Sequence, residues 1–204
     1  MNKQALINSL KQKGFSRRIL NAFEKVKREN FIPDKLKKYA YEDTALPIGE
    51  AQTISQPYTI AMMLSMLELK KGQKVLELGS GCGYVLALIS EIVGDKGRVY
   101  GIERIKELAE KSKNNLKDYK NIVSYNQNGS KGLKEKAPFD RILISAACEK
   151  ISKTIQNQLK DNGILVAPVG SRYEQTLVAI KKIKNNYTIK EEIPGFVFVP
   201  FIEG

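Results

Sequence analysis

The sequence predicts an α/β protein with a doubly wound, mostly parallel sheet, and three observations carry that reading. From Lys74 onward, short apolar runs alternate with amphipathic helical segments, the pattern that crossover units between parallel strands produce. A glycine-rich stretch, Gly79-Ser80-Gly81-Cys82-Gly83, stands where the first apolar run gives way to a helix. An acid, Glu103, closes the next run. Helices are expected ahead of this core, and an antiparallel hairpin with one more strand behind it. The 204 residues are read as one domain of three regions: helices and a loop over 1–72, the α/β core over 73–170, and a β region over 171–204.

Taken in order, residues 1–39 read as short helices, with Ile19, Phe23 and Val26 at helical spacing and Ser16 as an N-cap. Pro33 breaks that pattern. Residues 40–56 read as loop, punctuated by Pro47 and Gly49. A helix is expected over 57–69, with proline at its favoured first position. "KVLELG" and "RVYGIE" then read as strands, separated by the helical "YVLALISEIVG". A helix with a charged face, "RIKELAEKSKNNLKDY", leads to the strands "IVSYNQ" and "RILISA". "ISKTIQNQLK" is expected to be helical, followed by an Asn162-Gly163 turn and the strand "ILVAPVG". "QTLVAIKKI" and "YTIKEEI" around an Asn185-Asn186 turn read as the hairpin, and "GFVFVPF" as the last strand.

Composition narrows the chemistry. The chain has no histidine, which removes Ser-His-Asp and Cys-His catalysis and histidine-built metal centres. Cys82 and Cys148 are too few and too distant for a disulfide framework, so a reducing cytoplasm is expected and no metal site. No apolar run reaches eighteen residues, and the N-terminus lacks the apolar core of a signal peptide. The formal charge of +12 is uneven: residues 1–38 hold eleven Lys and Arg against three Asp and Glu. Attraction to acidic partners is one reading. Without aromatic interleaving or an arginine cluster, a solvated lysine-rich surface is the better one, and no dedicated nucleic-acid partner is expected.

The glycine stretch departs from two phosphate-binding patterns. GxGxxG needs glycine where Tyr84 stands, and no GK[ST] follows. Its GxGxG spacing, with Glu77 two residues ahead of Gly79, is similar to motif I of S-adenosylmethionine-dependent methyltransferases. A carboxylate at Glu103 is placed to accept two hydrogen bonds from a ribose diol. Loop, helix and strand-end acid together point to an adenosine-containing cofactor.

"LPIGEAQTISQPY", "VLELGSGCGY", "GIER", "APFDRILISAA" and "LKDNGILVAPVG" occur in that order. Together they resemble the protein-L-isoaspartate O-methyltransferase family, over roughly residues 15–175. The resemblance implies a Rossmann-like methyltransferase fold with a substrate loop in the 1–72 region. It also implies methyl transfer from S-adenosylmethionine, leaving S-adenosylhomocysteine, to the α-carboxylate of isoaspartyl residues in damaged proteins. The ester then closes to a succinimide whose hydrolysis restores some normal aspartate. A carboxylate, with an unperturbed pKa of about 4, is already a nucleophile at neutral pH, so a chain without histidine loses nothing. The work expected of the protein is to hold carboxylate and methyl in line.

The family's active-site serine falls on Ser55, assigned carboxylate binding and orientation rather than covalent attack, because nothing here activates its hydroxyl. Its local alternative is an N-cap for the helix at Pro57. Gln52, Thr53, Ile54 and Tyr58 are expected on the substrate side, with Pro168, Val169 and Gly170 near the groove. Glu77, Gly79, Ser80, Gly81, Gly83, Glu103, Asn128, Gly129 and Gln175 are expected on the cofactor side. Asn128 departs from the family, which usually has an aspartate there contacting the adenine amino group; an amide oxygen accepts that bond without charge assistance. "Cys148-Glu149-Lys150" departs where the family favours small residues and proline, and Cys148 is read as apolar filler. The enzyme is expected to act as a monomer. The alternatives are a methyltransferase of RNA or a small molecule and a cofactor-binding module without catalysis; neither needs "QTISQP".

Overall fold

The computed structural model describes residues 1–184 and 186–202. The chain opens with α1 (Lys3–Gln12), whose first turn is capped by the Asn2 side chain accepting from Ala5 N–H at 2.9 Å. Helix α2 (Arg17–Lys25) buries Ile19, Leu20, Ala22 and Phe23. Ser16 stands at its N-cap position, yet its hydroxyl makes no capping bond. Two 3-10 turns, over 28–31 and 34–39, follow.

The expected loop over 40–56 contains a small antiparallel hairpin, β1 (Leu46–Gly49) with β2 (Gln52–Ile54). Its two turn residues, Glu50 and Ala51, both sit at φ +53°, the primed turn that fits the twist of paired strands. Neither residue type favours that conformation, which is why the sequence reads there as loop. Helix α3 (Pro57–Met66) ends three residues short of the expected Leu69.

The core then builds β3 (Lys74–Leu78), α4 (Tyr84–Val93), β4 (Arg98–Glu103), α5 (Lys106–Asn115), β5 (Ile122–Asn126) and β6 (Phe139–Ile144). A single helical turn, α6 (Lys153–Gln156), precedes the long strands β7 (Leu159–Gly170), β8 (Gln175–Ile183) and β9 (Asn186–Phe196). The seven-stranded order is β5-β4-β3-β6-β7-β8-β9, parallel through β7 and antiparallel beyond it. Chain order reverses on either side of β3, so the C-terminal ends of β3, β4 and β6 enclose the crevice where such sheets bind ligands. The strands earn this central place by being apolar on both faces: Val75, Leu76 and Leu78 of β3 are fully buried, as are Ile142 and Leu143 of β6. Fully burying such a side chain contributes about 1.5–3 kcal/mol.

Three expectations need correction. The helix over 151–160 is only α6, because Leu159 and Lys160 already belong to β7. The Asn162-Gly163 step is an irregularity within β7, not a turn ahead of it: pairing jumps from Phe139↔Leu159 to Arg141↔Ile164, with Asn162 at φ +61°. The final strand also does not form. Gly195 and Phe196 end β9, and Val197 to Val199 cross over the sheet's C-terminal end before Pro200 bridges to Ala147. Of the expected hairpin turn, Asn186 opens β9 and Asn185 lies outside the described residues.

Candidate active site

The glycine turn between β3 and α4 is built on backbone conformations that side chains resist: Gly79, Gly81 and Gly83 have φ of +78°, +52° and +86°. The turn hangs from β4. Gly79 N–H and Ser80 N–H both donate to Ile102 O, and Gly81 N–H donates to Glu103 Oε2 at 2.8 Å. Glu103 Oε1 accepts from Ile105 N–H, also at 2.8 Å. Glu103 therefore holds the turn as well as facing the cavity, and each of its oxygens keeps a second acceptor position for a diol.

A first cavity lies over this turn. Gly79, Gly81, Glu103 and Gly129 line it from the core, and Ile48, Gln52 and Thr53 from the β1–β2 hairpin. The hairpin presses close: a Cβ on Gly81 would meet Ile48 Cδ1 at 3.3 Å. Val199 to Ile202 of the tail close the far side.

A second cavity opens beside it, lined by Ser55, Gln56, Tyr58 and Thr59, and opposite them by Ile193 to Val199. Thr53, Ser145 and Val199 line both cavities, so the two meet there. The Ser55 hydroxyl makes no hydrogen bond among the described residues. The capping alternative fails for a specific reason: the Asp43 carboxylate, fifteen residues upstream, accepts from Tyr58 N–H at 2.8 Å and serves the helix end instead.

Glu77 sits beneath the junction rather than on either wall, 1% exposed. Its Oε1 accepts from the Ser145 hydroxyl at 2.7 Å, and its Oε2 has no partner among the described residues. Burial, reinforced by the nearby Glu103 charge, pushes its pKa up to about 8. Burial likewise raises the Cys82 thiol to about 11, so it stays protonated.

Other expected residues fall elsewhere. Ile54 is buried in the core, and Ser80 is buried behind the turn. Gly83 is the left-handed N-cap of α4, packed against Ser112 and Leu116. Asn128 is exposed and lines neither cavity; its Oδ1 accepts from Ser130 N–H, while its neighbour Gly129 is the one on the wall. Pro168, Val169 and Gly170 lie off both cavities. Pro168 and Gly170 hold the 147–150 segment, through Cys148 N–H to Pro168 O and Gly170 N–H to Cys148 O, each 3.0 Å. Gln175 is a tail clasp: its amide donates to Ser171 O and accepts from Phe198 N–H. Ser145 and the tail were absent from the expected set. Ser145 was findable, since it follows β6 at the switch point. The tail was not, because only long-range bonds such as Phe201 N–H to Ala147 O place it.

A glycine-turn crevice at the switch point, joined to a second cavity, fits the arrangement of an S-adenosylmethionine-dependent methyltransferase. Comparisons narrow the class. The family model described as Protein-L-isoaspartate(D-aspartate) O-methyltransferase (PCMT) matches residues 1–204. A protein-L-isoaspartate O-methyltransferase of Petrotoga mobilis is 48% identical over 197 residues, covering 95% of this chain and 91% of its own. One from Methanococcoides burtonii is 42% identical over 199 residues, covering 97% and 98%. Among solved structures, a protein-L-isoaspartate O-methyltransferase superposes with a TM-score of 0.90 at 28% identity, over 100% of this chain and 66% of that one. A putative enzyme of that name from Plasmodium falciparum, in complex with S-adenosyl-L-homocysteine, gives 0.87 at 26% identity, with both chains covered fully. The chain belongs to the protein-L-isoaspartate O-methyltransferase family.

Proposed function

We propose that this chain methylates the α-carboxylate of L-isoaspartyl residues in damaged peptides and proteins, with the cofactor in the first cavity and the peptide in the second. The observation that carries the reading is their junction at Thr53, Ser145 and Val199. When bound, S-adenosylmethionine supplies an electrophilic methyl group. The protein's residues do the rest by placement. Glu103 takes the ribose diol, and the glycine turn lets the backbone pass close beneath the methionine portion. The Ser55 hydroxyl, with no partner of its own, donates to one carboxylate oxygen and leaves the other to attack. No proton has to be removed from an ionised carboxylate, so no base is required. Tyr58 and the Ile193–Val199 segment flank the peptide on either side.

On this reading the enzyme works as a monomer in the cytoplasm, with Cys82 and Cys148 both buried. No helix among the described residues is long and apolar enough to cross a membrane. The test is incubation with methyl-labelled S-adenosylmethionine and an isoaspartyl peptide beside its aspartyl twin. Base-labile label on the isoaspartyl peptide alone is the expected result. Equal labelling of both peptides, or of neither, overturns the proposal.

A further inference from the structure

Arg28 is the largest of the fully buried side chains, at 0% exposure, in a segment whose other cations face solvent or lie partly exposed. Moving a cation out of water costs several kcal/mol unless its donors are met. Among the described residues no carboxylate forms an ion pair with it. Its guanidinium is met by backbone: Nη1 donates to Ala40 O at 3.2 Å and Glu42 O at 3.3 Å, and Nη2 to Thr44 O and Ser55 O, both at 3.1 Å. Nε has no acceptor.

The four carbonyls are not a random set. Three belong to the stretch just ahead of the hairpin, and the fourth is the carbonyl of the proposed carboxylate-orienting serine. Asp43, in the same stretch, binds Tyr58 N–H on the far side of that serine. The 40–44 segment is thus fastened to both flanks of the β2–α3 corner, by Arg28 through Ser55 O and by Asp43 through the helix end. A bond to Ser55 O fixes the plane of the Ser55–Gln56 peptide, and with it the direction in which the Ser55 side chain leaves the backbone. A planar, five-donor fork can bridge carbonyls from separate segments; an ammonium on a flexible stem cannot span the same set.

We propose that Arg28 is a positioning residue for methyl transfer, acting through the Ser55 carbonyl to aim the Ser55 hydroxyl at the substrate carboxylate. This rests on the role proposed for Ser55. The Arg28 fork touches neither cavity wall except through Ser55, so its loss should separate catalysis from cofactor binding. In Arg28→Lys, kcat with an isoaspartyl peptide should fall on the order of 10²-fold, the size of effect a misplacement of about 1 Å produces. S-adenosylhomocysteine affinity, read by calorimetry, should stay within about twofold, since no cofactor contact is removed.

A double-mutant cycle with Ser55→Ala decides between aiming and general support. Starting from Ser55→Ala, adding Arg28→Lys should lower kcat little further, because the hydroxyl it aims is gone. Full additivity of the two losses overturns the proposal, as does an Arg28→Lys enzyme with normal kcat. If Ser55→Ala alone is fully active, it is the role of Ser55 that fails. Should Arg28→Lys fold poorly, Arg28→Gln, which keeps one donor group, is carried through the same cycle, and additivity there is equally decisive.

Discussion

The Ser55 hydroxyl is unengaged because Asp43 already satisfies the helix end behind it. That makes Ser55→Ala a clean deletion: kcat for an isoaspartyl peptide should drop by about 10²–10³, the loss typical of one transition-state donor. S-adenosylhomocysteine binding, measured by calorimetry, should be nearly unchanged. Glu77 gives a second prediction. Burial raises its pKa in the folded protein to about 8 from an ordinary value of 4.5, so the native state favours the protonated form. Its stabilising contribution is complete below about pH 4.5 and is lost as pH rises through about 8. Glu77→Gln, which cannot ionise, should therefore gain in Tm relative to the parent between pH 5 and pH 9; parallel Tm profiles would contradict this. At this scale the sequence was informative about residue type more than orientation. Glu103, singled out by its place at a strand end, and Gly129 and Ser55, singled out by the family resemblance, each line a cavity. Asn128 and Gln175 share the right neighbourhood, but their amides are spent on Ser130, Ser171 and Phe198, and no local pattern encodes those partners.

Among elements, the glycine turn and the hairpin work as a pair, since Ile48 of β1 rests where a side chain at Gly81 would go. Gly81→Val adds bulk at φ +52° and drives it toward Ile48, so S-adenosylhomocysteine binding should be abolished while far-UV circular dichroism keeps its α/β shape. The hairpin holds Glu50 and Ala51 in left-handed conformations costing roughly 1 kcal/mol each. Ala51→Gly should relieve that strain, but glycine's larger unfolded-state entropy offsets half of it or more, so the expected gain in a denaturant titration is at most about 0.5 kcal/mol. The core strands were legible because β3, β4 and β6 are short, mostly apolar runs of strand length set between helical segments. The hairpin was hidden because its turn violates residue preference and is held by its surroundings. The "ISKTIQNQLK" segment misled because helical composition extends into residues that β6 recruits as the start of β7.

Over the whole molecule, the first 72 residues and the tail close around the crevice of the α/β core from opposite sides. The chain reversal beside β3 opens the crevice, and the glycine turn after β3 marks its place in the sequence. The tail's path follows from contacts more than 50 residues apart, such as Phe201 N–H to Ala147 O, and so escaped the reading. Phe201 lines the first cavity, with its ring near Gly129. Phe201→Ala should weaken S-adenosylhomocysteine binding roughly tenfold or more, as expected from losing a large apolar contact, while the tail keeps its backbone bond to Ala147.

Strand β9 forms one outer edge of the seven-stranded sheet and carries Lys190, Glu191, Glu192 and Pro194. An enzyme whose clients are damaged chains meets polypeptides with exposed, pairing-competent strands. Charges and a proline on the free edge make it a poor template for further strands. An extended substrate chain therefore finds little on this edge to pair with, and is left to the cavities at the strand ends.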